Sequence, residues 1–402
     1  MTQLDVHLWW QGTTVRVGTA HGTVRRGVLI TRFLYDGSWL ARPDAWSISP
    51  DLPLAAGQAT TNGLPGAFAD SVPDRWGRNL IDRHHGIRRR ATRDTPRTLT
   101  ELDYLTGVSD LTRQGALRFT EPDSTVHLQP GGEVPKLVSL PSLLHAARQA
   151  AIDDDEDAVK HLLDAGTASL GGTRPKASVA VGDRPLIAKF PHPSDTWNVM
   201  AWETTALDLA SQCGINTPTH RLVHLGEHAV LLVGRFDRLG GDRVPYISAT
   251  TLVGSRDGDD ADYLDVAEAI TDHGSRVRHD LHELFRRIAF SLTVHNVDDH
   301  LRNHGFLRRG SGWELAPVFD VNPHPEPGAR RITSVAGATR RDDARAALIE
   351  SAEWFDLTRD QGAAVVASVW AAARSWREVA AWHGVSSAEL TRFAAVLDDP
   401  SR

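Results

Sequence analysis

The fold of this chain is decided by the stretch Asn296-Val297-Asp298-Asp299-His300-Leu301-Arg302-Asn303-His304-Gly305-Phe306. The segment before it carries apolar residues at three- and four-residue spacing, which places them on one face of a helix. Those residues are Leu281, Leu284, Phe285, Ile288, Ala289 and Leu292. Two acids, two histidines and two asparagines then fall within nine residues. Such a cluster is costly to bury unless its groups bond one another, a metal or a ligand. The pattern predicts a long helix that ends at a polar site.

The spacing of Asp298 and Asn303 within this stretch is D-x-x-x-x-N, which is the spacing of a protein-kinase catalytic loop. In that loop the aspartate orients the attacking hydroxyl and accepts its proton, while the asparagine holds magnesium. A further metal-binding aspartate is required, and Asp320 follows an apolar, strand-like approach at residues 315–319. The alternative is a helix end whose polar residues face water, because D-x-x-x-x-N alone is common by chance. The three residues together favour the catalytic interpretation.

A second candidate pair is formed by Lys189 and Glu203. Lys189 lies inside an apolar strand predicted at residues 186–190, where an unpaired lysine is rare. Glu203 interrupts the apolar stripe of the helix that follows. A kinase uses such a strand lysine and helix glutamate to fix the α- and β-phosphates of ATP. The alternative is a surface salt bridge, which contributes little.

Two further segments suit a nucleotide. Residues 166–176 are glycine-rich and precede a predicted strand pair, and a loop with free backbone N–H groups suits phosphate. We assign Gly171, Gly172 and Lys176 to phosphate binding, although the motif departs from a P-loop and a plain turn is the alternative. Residues 234–238 read Gly-Arg-Phe-Asp-Arg and follow a second strand pair. This is where a bilobal kinase crosses between lobes, so we assign adenine binding to Gly234 and Phe236.

Composition narrows the class of protein. The chain has 402 residues and 41% hydrophobic content, which indicates a globular protein of two or three domains. No apolar run reaches the ~18 residues of a membrane span, and no signal peptide is evident. The single cysteine, Cys213, cannot form an internal disulfide, so we expect a cytoplasmic protein. Net charge is −7, but arginines crowd residues 83–97 and acids crowd residues 153–157. The basic run is either a nucleic-acid or acidic-partner surface or a solvated face.

The ordered motifs resemble the HipA family, the kinase toxins of bacterial toxin–antitoxin pairs. The matching segments are residues 68–77, 115–119, 169–176, 187–190, 235–238, 296–303 and 319–320. The resemblance implies an α+β, divergent bilobal kinase-like fold, with a mixed N-terminal lobe and a mostly helical C-terminal lobe. It implies an N-terminal subdomain over 1–120, a linker over 121–136, a nucleotide-binding region over 137–238 and a catalytic lobe over 239–402.

The resemblance also implies an activity and partners. Known members are ATP- and Mg²⁺-dependent serine/threonine kinases that phosphorylate aminoacyl-tRNA synthetases. A small helix-turn-helix antitoxin neutralises them and carries the complex to operator DNA. Ser169 matches the serine whose self-phosphorylation silences the kinase, and His300 is expected to shape the catalytic loop or contact phosphate. Two departures from the family pattern stand out. Gly234 replaces an acidic residue familiar at that position, which concerns the contact with adenine. Residues 245–251 differ from the best-known members, which concerns the identity of the target.

Three other functions stay open. A small-molecule kinase of the aminoglycoside or choline type would share Asp298, Asn303 and Asp320, but it needs no N-terminal module. A co-repressor without turnover, bound to DNA with an antitoxin, would use the arginine-rich residues 83–97. A metal hydrolase could use the histidines and acids of residues 295–304, although their spacing matches no H-E-x-x-H set.

Overall fold

The structure is a computed structural model that describes residues 2–92, 95, 97–152, 155–166, 173–256 and 258–398. The chain forms two compact units. Unit 1 comprises Met1–Ser194 and Leu232–Ile247, and unit 2 comprises Asp195–Leu231 and Ser248–Arg402. The predicted α+β class is confirmed, since the first third of the chain contains both strands and helices and helices dominate the last third. Among the described residues, no helix combines the length and apolarity that a bilayer span requires.

Unit 1 begins with an antiparallel sheet whose strand order is β4-β3-β2-β1-β5. The elements of this N-terminal module are β1 (Thr2–Trp10), β2 (Thr13–Arg25), β3 (Val28–Tyr35), α1 (Gly37–Leu40), β4 (Gln58–Asn62), α2 (Gly66–Ala69), α3 (Arg75–Thr92), α4 (Glu101–Gly107) and β5 (Leu117–Thr120). Buried and exposed residues alternate along β3, as its sequence predicts. The core beneath the sheet contains Phe33, Phe68 and Phe119, whose rings meet edge to face.

The rest of unit 1 follows a segment, residues 121–136, that contains no helix or strand. Its elements are α5 (Leu140–Ile152), α6 (Glu156–Asp164), β6 (Lys176–Val181), β7 (Arg184–Lys189), β10 (Arg238–Leu239) and β11 (Asp242–Arg243). Strands β6 and β7 form an antiparallel hairpin. Gly182 occupies its turn with a φ of 57°, a conformation that glycine adopts without strain. The strand pair predicted for this segment is confirmed.

The basic and acidic runs of the sequence lie beside each other in unit 1. Helix α3 carries much of the basic run, and the N-terminus of α6 carries part of the acidic run. Arg90 Nη2 lies 3.1 Å from Glu156 Oε1, and Arg97 Nη2 lies 2.6 Å from Asp103 Oδ1. Part of the basic charge is therefore neutralised within the chain, which favours the solvated-face interpretation over a nucleic-acid surface.

Unit 2 is mostly helical. Strands β9 (His228–Gly234) and β12 (Tyr246–Ser248) cross the boundary between the units, and the other elements lie in unit 2. These are α7 (Val199–Gln212), β8 (His220–Leu225), α8 (Ala249–Val253), β13 (Ala261–Asp262), α9 (Tyr263–His273), α10 (Val277–Thr293), β14 (Gly305–Arg309), β15 (Gly312–Leu315), β16 (Thr333–Ser334), α11 (Arg341–Glu350), α12 (Arg359–Ala373), α13 (Trp376–Trp382) and α14 (Ser387–Leu397). Trp202 on α7 stacks on Phe393 of α14 with ring centroids 3.8 Å apart.

Two details of the sequence prediction are wrong. The helix predicted over 364–379 is two helices, because α12 ends at Ala373, α13 begins at Trp376, and Ser375 between them has a ψ of 5° rather than a helical value. The strand-like approach to Asp320 is also wrong, since β15 ends at Leu315 and residues 316–320 have no regular structure. Pro317 has no N–H to continue a ladder, and the Val318 N–H donates to the Asn216 carbonyl instead.

Candidate active site

Asp299 is the centre of a buried hydrogen-bond network in unit 2. Its carboxylate accepts the Tyr263 hydroxyl at 2.5 Å and the Ser291 hydroxyl at 2.8 Å, and it lies 3.1 Å from Nε2 of His304. Burial works to raise the pKa of Asp299, but His304, Arg331 and the Tyr263 hydrogen bond outweigh burial and hold it well below its usual value. Asp299 is therefore ionised, and it fastens α9 and α10 to the quoted stretch. That placement gives Asp299 and His304 a structural role.

Arg331 completes this network, and the sequence analysis missed it. Its guanidinium donates to the Asn296 carbonyl at 3.0 Å and to the Tyr263 and Ser291 hydroxyls at 2.9 Å each. Arg331 is buried and lies in a segment with no helix or strand. No local pattern marks it, because its side chain bonds residues from distant parts of the chain.

Asp298 lies next to Asp299 in sequence but is exposed. The amide nitrogen of buried Asn303 donates to the Asp298 carbonyl at 3.3 Å, which closes the loop between the two residues. This bond uses the nitrogen of the Asn303 amide, so the amide oxygen is the atom that could bind a cation. The His300 carbonyl accepts the Asn303 N–H at 2.8 Å, so the His300 backbone shapes this loop. The Asp298 carboxylate is thus exposed on a loop whose neighbouring residues are buried and hydrogen-bonded.

Asp320 has a backbone conformation that is unusual for a residue with a side chain, with a φ of 58°. Asn322 donates from Nδ2 to Asp320 Oδ1 at 3.3 Å, and its own N–H donates to Asn296 Oδ1 at 3.3 Å. Asn296 and Asn322 therefore connect the catalytic-loop stretch to Asp320. Asn322 has no predicted role, because no local motif marks it. A residue that its neighbours hold in an unusual backbone conformation is common at functional sites.

Two of the predicted phosphate ligands, Lys176 and Lys189, lie on the β6–β7 hairpin. Lys176 begins β6 and pairs directly with Lys189 at the end of β7. Lys176 is buried, and its Nζ lies 3.7 Å from Asp74 Oδ2. Two lysines directly opposite each other on neighbouring strands repel unless anions lie close. Asp74 supplies one such anion for Lys176, and the hairpin brings both lysines together where the sequence predicts phosphate binding.

The remaining predicted site residues fall in different parts of the structure. Gly234 ends β9 in unit 1, Phe236 follows it and is half-buried, and Glu203 is buried on α7 of unit 2. Ser169, Gly171 and Gly172 lie outside the described residues. The pairing of Glu203 with Lys189 stays a prediction.

Comparison with known proteins connects this arrangement to a family. The family described as HipA-like C-terminal domain matches residues 168–380, and the HipA N-terminal domain family matches residues 5–99. A Haemophilus influenzae protein described as "Putative kinase" is 30% identical over 96 residues, a region that spans 23% of this chain and 24% of that protein.

The fold is shared with a solved HipA structure. The Shewanella oneidensis HipA structure, determined with HipB and operator DNA, has a TM-score of 0.68 and 15% identity, and the match covers 98% of this chain and 95% of that one. A Helicobacter pylori proinflammatory kinase, CtkA, matches with a TM-score of 0.37 and 16% identity over 56% of this chain and 91% of its own. The kinase-like fold of the HipA type, predicted from the motifs, is confirmed. The chain belongs to the HipA family.

Proposed function

We propose that this protein is an ATP- and Mg²⁺-dependent serine/threonine protein kinase that acts as the toxin of a toxin–antitoxin pair. The observation that carries the proposal is the contrast between the two adjacent acids Asp298 and Asp299. Asp299 is buried and bonded on several sides, whereas Asp298 is exposed on the loop that Asn303 closes. An acceptor of a hydroxyl proton must be exposed to its substrate and held in a fixed position. The exposed Asp298 carboxylate, on a loop held by the buried Asp299 network, fits both requirements.

The metal fits the residues present. Asn303 and Asp320 offer an amide oxygen and a carboxylate, which are the hard oxygen donors that Mg²⁺ prefers. Bound there, the cation would neutralise charge on the transferred phosphoryl group. Asn322 orients the Asp320 carboxylate from one side, and the buried amide oxygen of Asn322 has no hydrogen-bond partner in the described residues. Both observations support a cation-binding role for this corner of unit 2.

The side chains of the protein then divide the remaining work. Lys189, held by Glu203, grips the α- and β-phosphates, and the loop with Gly171, Gly172 and Lys176 covers them. Asp298 orients a serine or threonine hydroxyl and accepts its proton as the oxygen attacks the γ-phosphorus and the bond to ADP breaks. Positioning and electrostatics supply most of the rate in such a transfer.

The finer parts of the proposal concern targets and control. The substrate is a translation-related protein such as an aminoacyl-tRNA synthetase, and self-phosphorylation at Ser169 silences the enzyme. A small helix-turn-helix antitoxin is the partner, and operator DNA is reached through that complex. The Shewanella HipA structure, which includes HipB and operator DNA, supports this partnership.

A comparison of phosphoproteomes tests the proposal. Cells that express the wild-type chain should gain phosphoserine or phosphothreonine on a small set of proteins and at Ser169. Cells that express Asp298→Asn should gain neither, while Asp360→Asn, which changes an exposed acid on α12, should behave as wild type. Identical phosphoproteomes for the wild type and Asp298→Asn would contradict the proposal.

A further inference from the structure

The charged side chains of the segment Arg235-Phe236-Asp237-Arg238 all take part in one network within unit 1. The Asp237 carboxylate accepts Nε and Nη2 of Arg235 at 2.9 and 2.7 Å and Nη1 of Arg238 at 2.8 Å. It also accepts the backbone N–H of Gly115 at 2.8 Å. Gly115 belongs to the N-terminal module, so this carboxylate joins parts of the chain that lie more than a hundred residues apart.

The two arginines bond the same stretch of the N-terminal module, residues 110–115, which we term the 110–115 loop. Arg235 Nη1 donates to the Thr112 carbonyl at 2.6 Å, and Arg238 Nη2 donates to the Arg113 carbonyl at 2.6 Å. Contact here is close, because a Cβ on Gly115 would lie 3.3 Å from the backbone nitrogen of Tyr246. Gly115 also has a φ of 74°, which a residue with a side chain rarely adopts. The loop and the segment 235–246 are therefore packed together without spare room.

Burial makes this network rigid. Asp237 is 3% exposed and Arg235 is 8% exposed. Burial works to raise the pKa of Asp237, but Arg235 and Arg238 outweigh it and hold the pKa well below its usual value. Hydrogen bonds between buried charged groups are short and directional, so removal of the carboxylate charge leaves Arg235 and Arg238 without the anion that balances both guanidinium groups.

The same segment begins next to the backbone that we assign to adenine. Gly234 precedes Arg235, and Phe236 lies between Arg235 and Asp237. The Arg235 N–H donates to the Pro185 carbonyl at 3.3 Å, which ties the segment to the start of β7. Hydrogen bonds to a base edge depend on donor and acceptor positions to within a few tenths of an ångström. The side chains that fix the backbone of residues 234–236 therefore affect how well adenine is bound.

We propose that Asp237 is a positioning residue for the adenine base, which holds Gly234 and Phe236 in place by bonding their neighbours to the 110–115 loop. The inference rests on the proposed nucleotide-binding function and adds a role for the N-terminal module. The module supports base recognition through this carboxylate, whereas phosphate binding depends on the β6–β7 hairpin.

The experiment compares ligands that have and lack the base. Calorimetry on the full chain with Mg²⁺ would measure the affinity for ATP and for inorganic tripolyphosphate in the wild type, Asp237→Asn and Asp242→Asn. Asp242 is the matched control, because it lies on the adjacent strand β11 but is exposed and accepts only the Trp9 indole N–H among the hydrogen bonds described. We expect Asp237→Asn to weaken ATP about tenfold, the equivalent of one lost hydrogen bond, and tripolyphosphate less than about twofold. The control should match the wild type for both ligands.

Two results would overturn the inference: an unchanged ATP affinity in Asp237→Asn, or an equal loss for ATP and tripolyphosphate, which would mark a purely structural residue. If Asp237→Asn does not fold, Arg238→Lys takes its place under the same criteria, since it keeps the charge and loses the bond to the Arg113 carbonyl. We expect a selective loss of ATP affinity of about threefold there. Failure of the wild type to bind ATP would instead contradict the proposed function.

Discussion

Replacement of Asp299 by asparagine should lower the stability of unit 2 far more than the same replacement of its neighbour Asp298. Asp299 is 7% exposed and holds Tyr263, Ser291 and His304 at 2.5, 2.8 and 3.1 Å. Arg331 lies 3.7 Å away and shares those hydroxyls. Removal of one partner from a buried charge network costs about 3–5 kcal/mol. For units of this size the melting temperature falls by about 2–4 °C per kcal/mol, so we expect a decrease of about 6–20 °C.

Thermal unfolding followed by circular dichroism measures this difference. Asp298→Asn is the matched control, because the exposed acid should change stability by less than about 1 kcal/mol. The pKa of Asp299 is depressed, so its contribution is present above the unfolded-state value of about 4 and is lost as pH falls through the folded-state value. The penalty of Asp299→Asn should therefore be complete at pH 7. Equal melting temperatures for the two variants at pH 7 would refute the claim that the Asp299 network stabilises unit 2.

Two further predictions use titratable groups of unit 2. His220 and His383 flank Asp208 at 2.9 and 2.6 Å. Burial lowers the pKa of His220, but Asp208 and the Pro218 carbonyl outweigh burial and raise it above 6.5. This stabilisation is present below pH 6.5 and is lost as pH rises through the folded-state pKa, so Asp208→Asn should destabilise more at pH 5.5 than at pH 8.5 in urea titrations. A penalty independent of pH would contradict the prediction. Burial raises the pKa of the Cys213 thiol from 9.0 to about 11, so native protein at pH 8 should alkylate about 100-fold more slowly than unfolded protein. Equal alkylation rates would show that the thiol is not shielded.

Local periodicity was enough to predict most elements. The strand at residues 28–35, the β6–β7 hairpin and helix α10 each have a clear two-residue or 3.6-residue repeat, and the structure has them there. The apolar pattern over 364–379 predicts one helix because it continues across Ser375, where the backbone leaves the helical conformation. A change of backbone conformation at one residue does not alter hydrophobic spacing.

In the candidate site, too, some residues could be predicted from the sequence and others could not. Asp298, Asn303 and Asp320 could be assigned because kinase chemistry fixes residue types and order. Arg331 could not, because its partners come together only in the folded chain. The positive φ of Asp320 has no local sequence signal either, because the surrounding structure determines it. Sequence thus identified the residues assigned to the chemistry and missed those that hold them.

The central claim is that this chain transfers phosphate from ATP with Asp298 as the proton acceptor and Asp320 as a metal ligand. Incubation of purified protein with γ-labelled ATP and Mg²⁺, followed by counts of label in protein, tests it most directly. We expect label in the wild type and at least about 100-fold less in Asp298→Asn and Asp320→Asn, both folded by circular dichroism. Equal label in the wild type and both variants would contradict it.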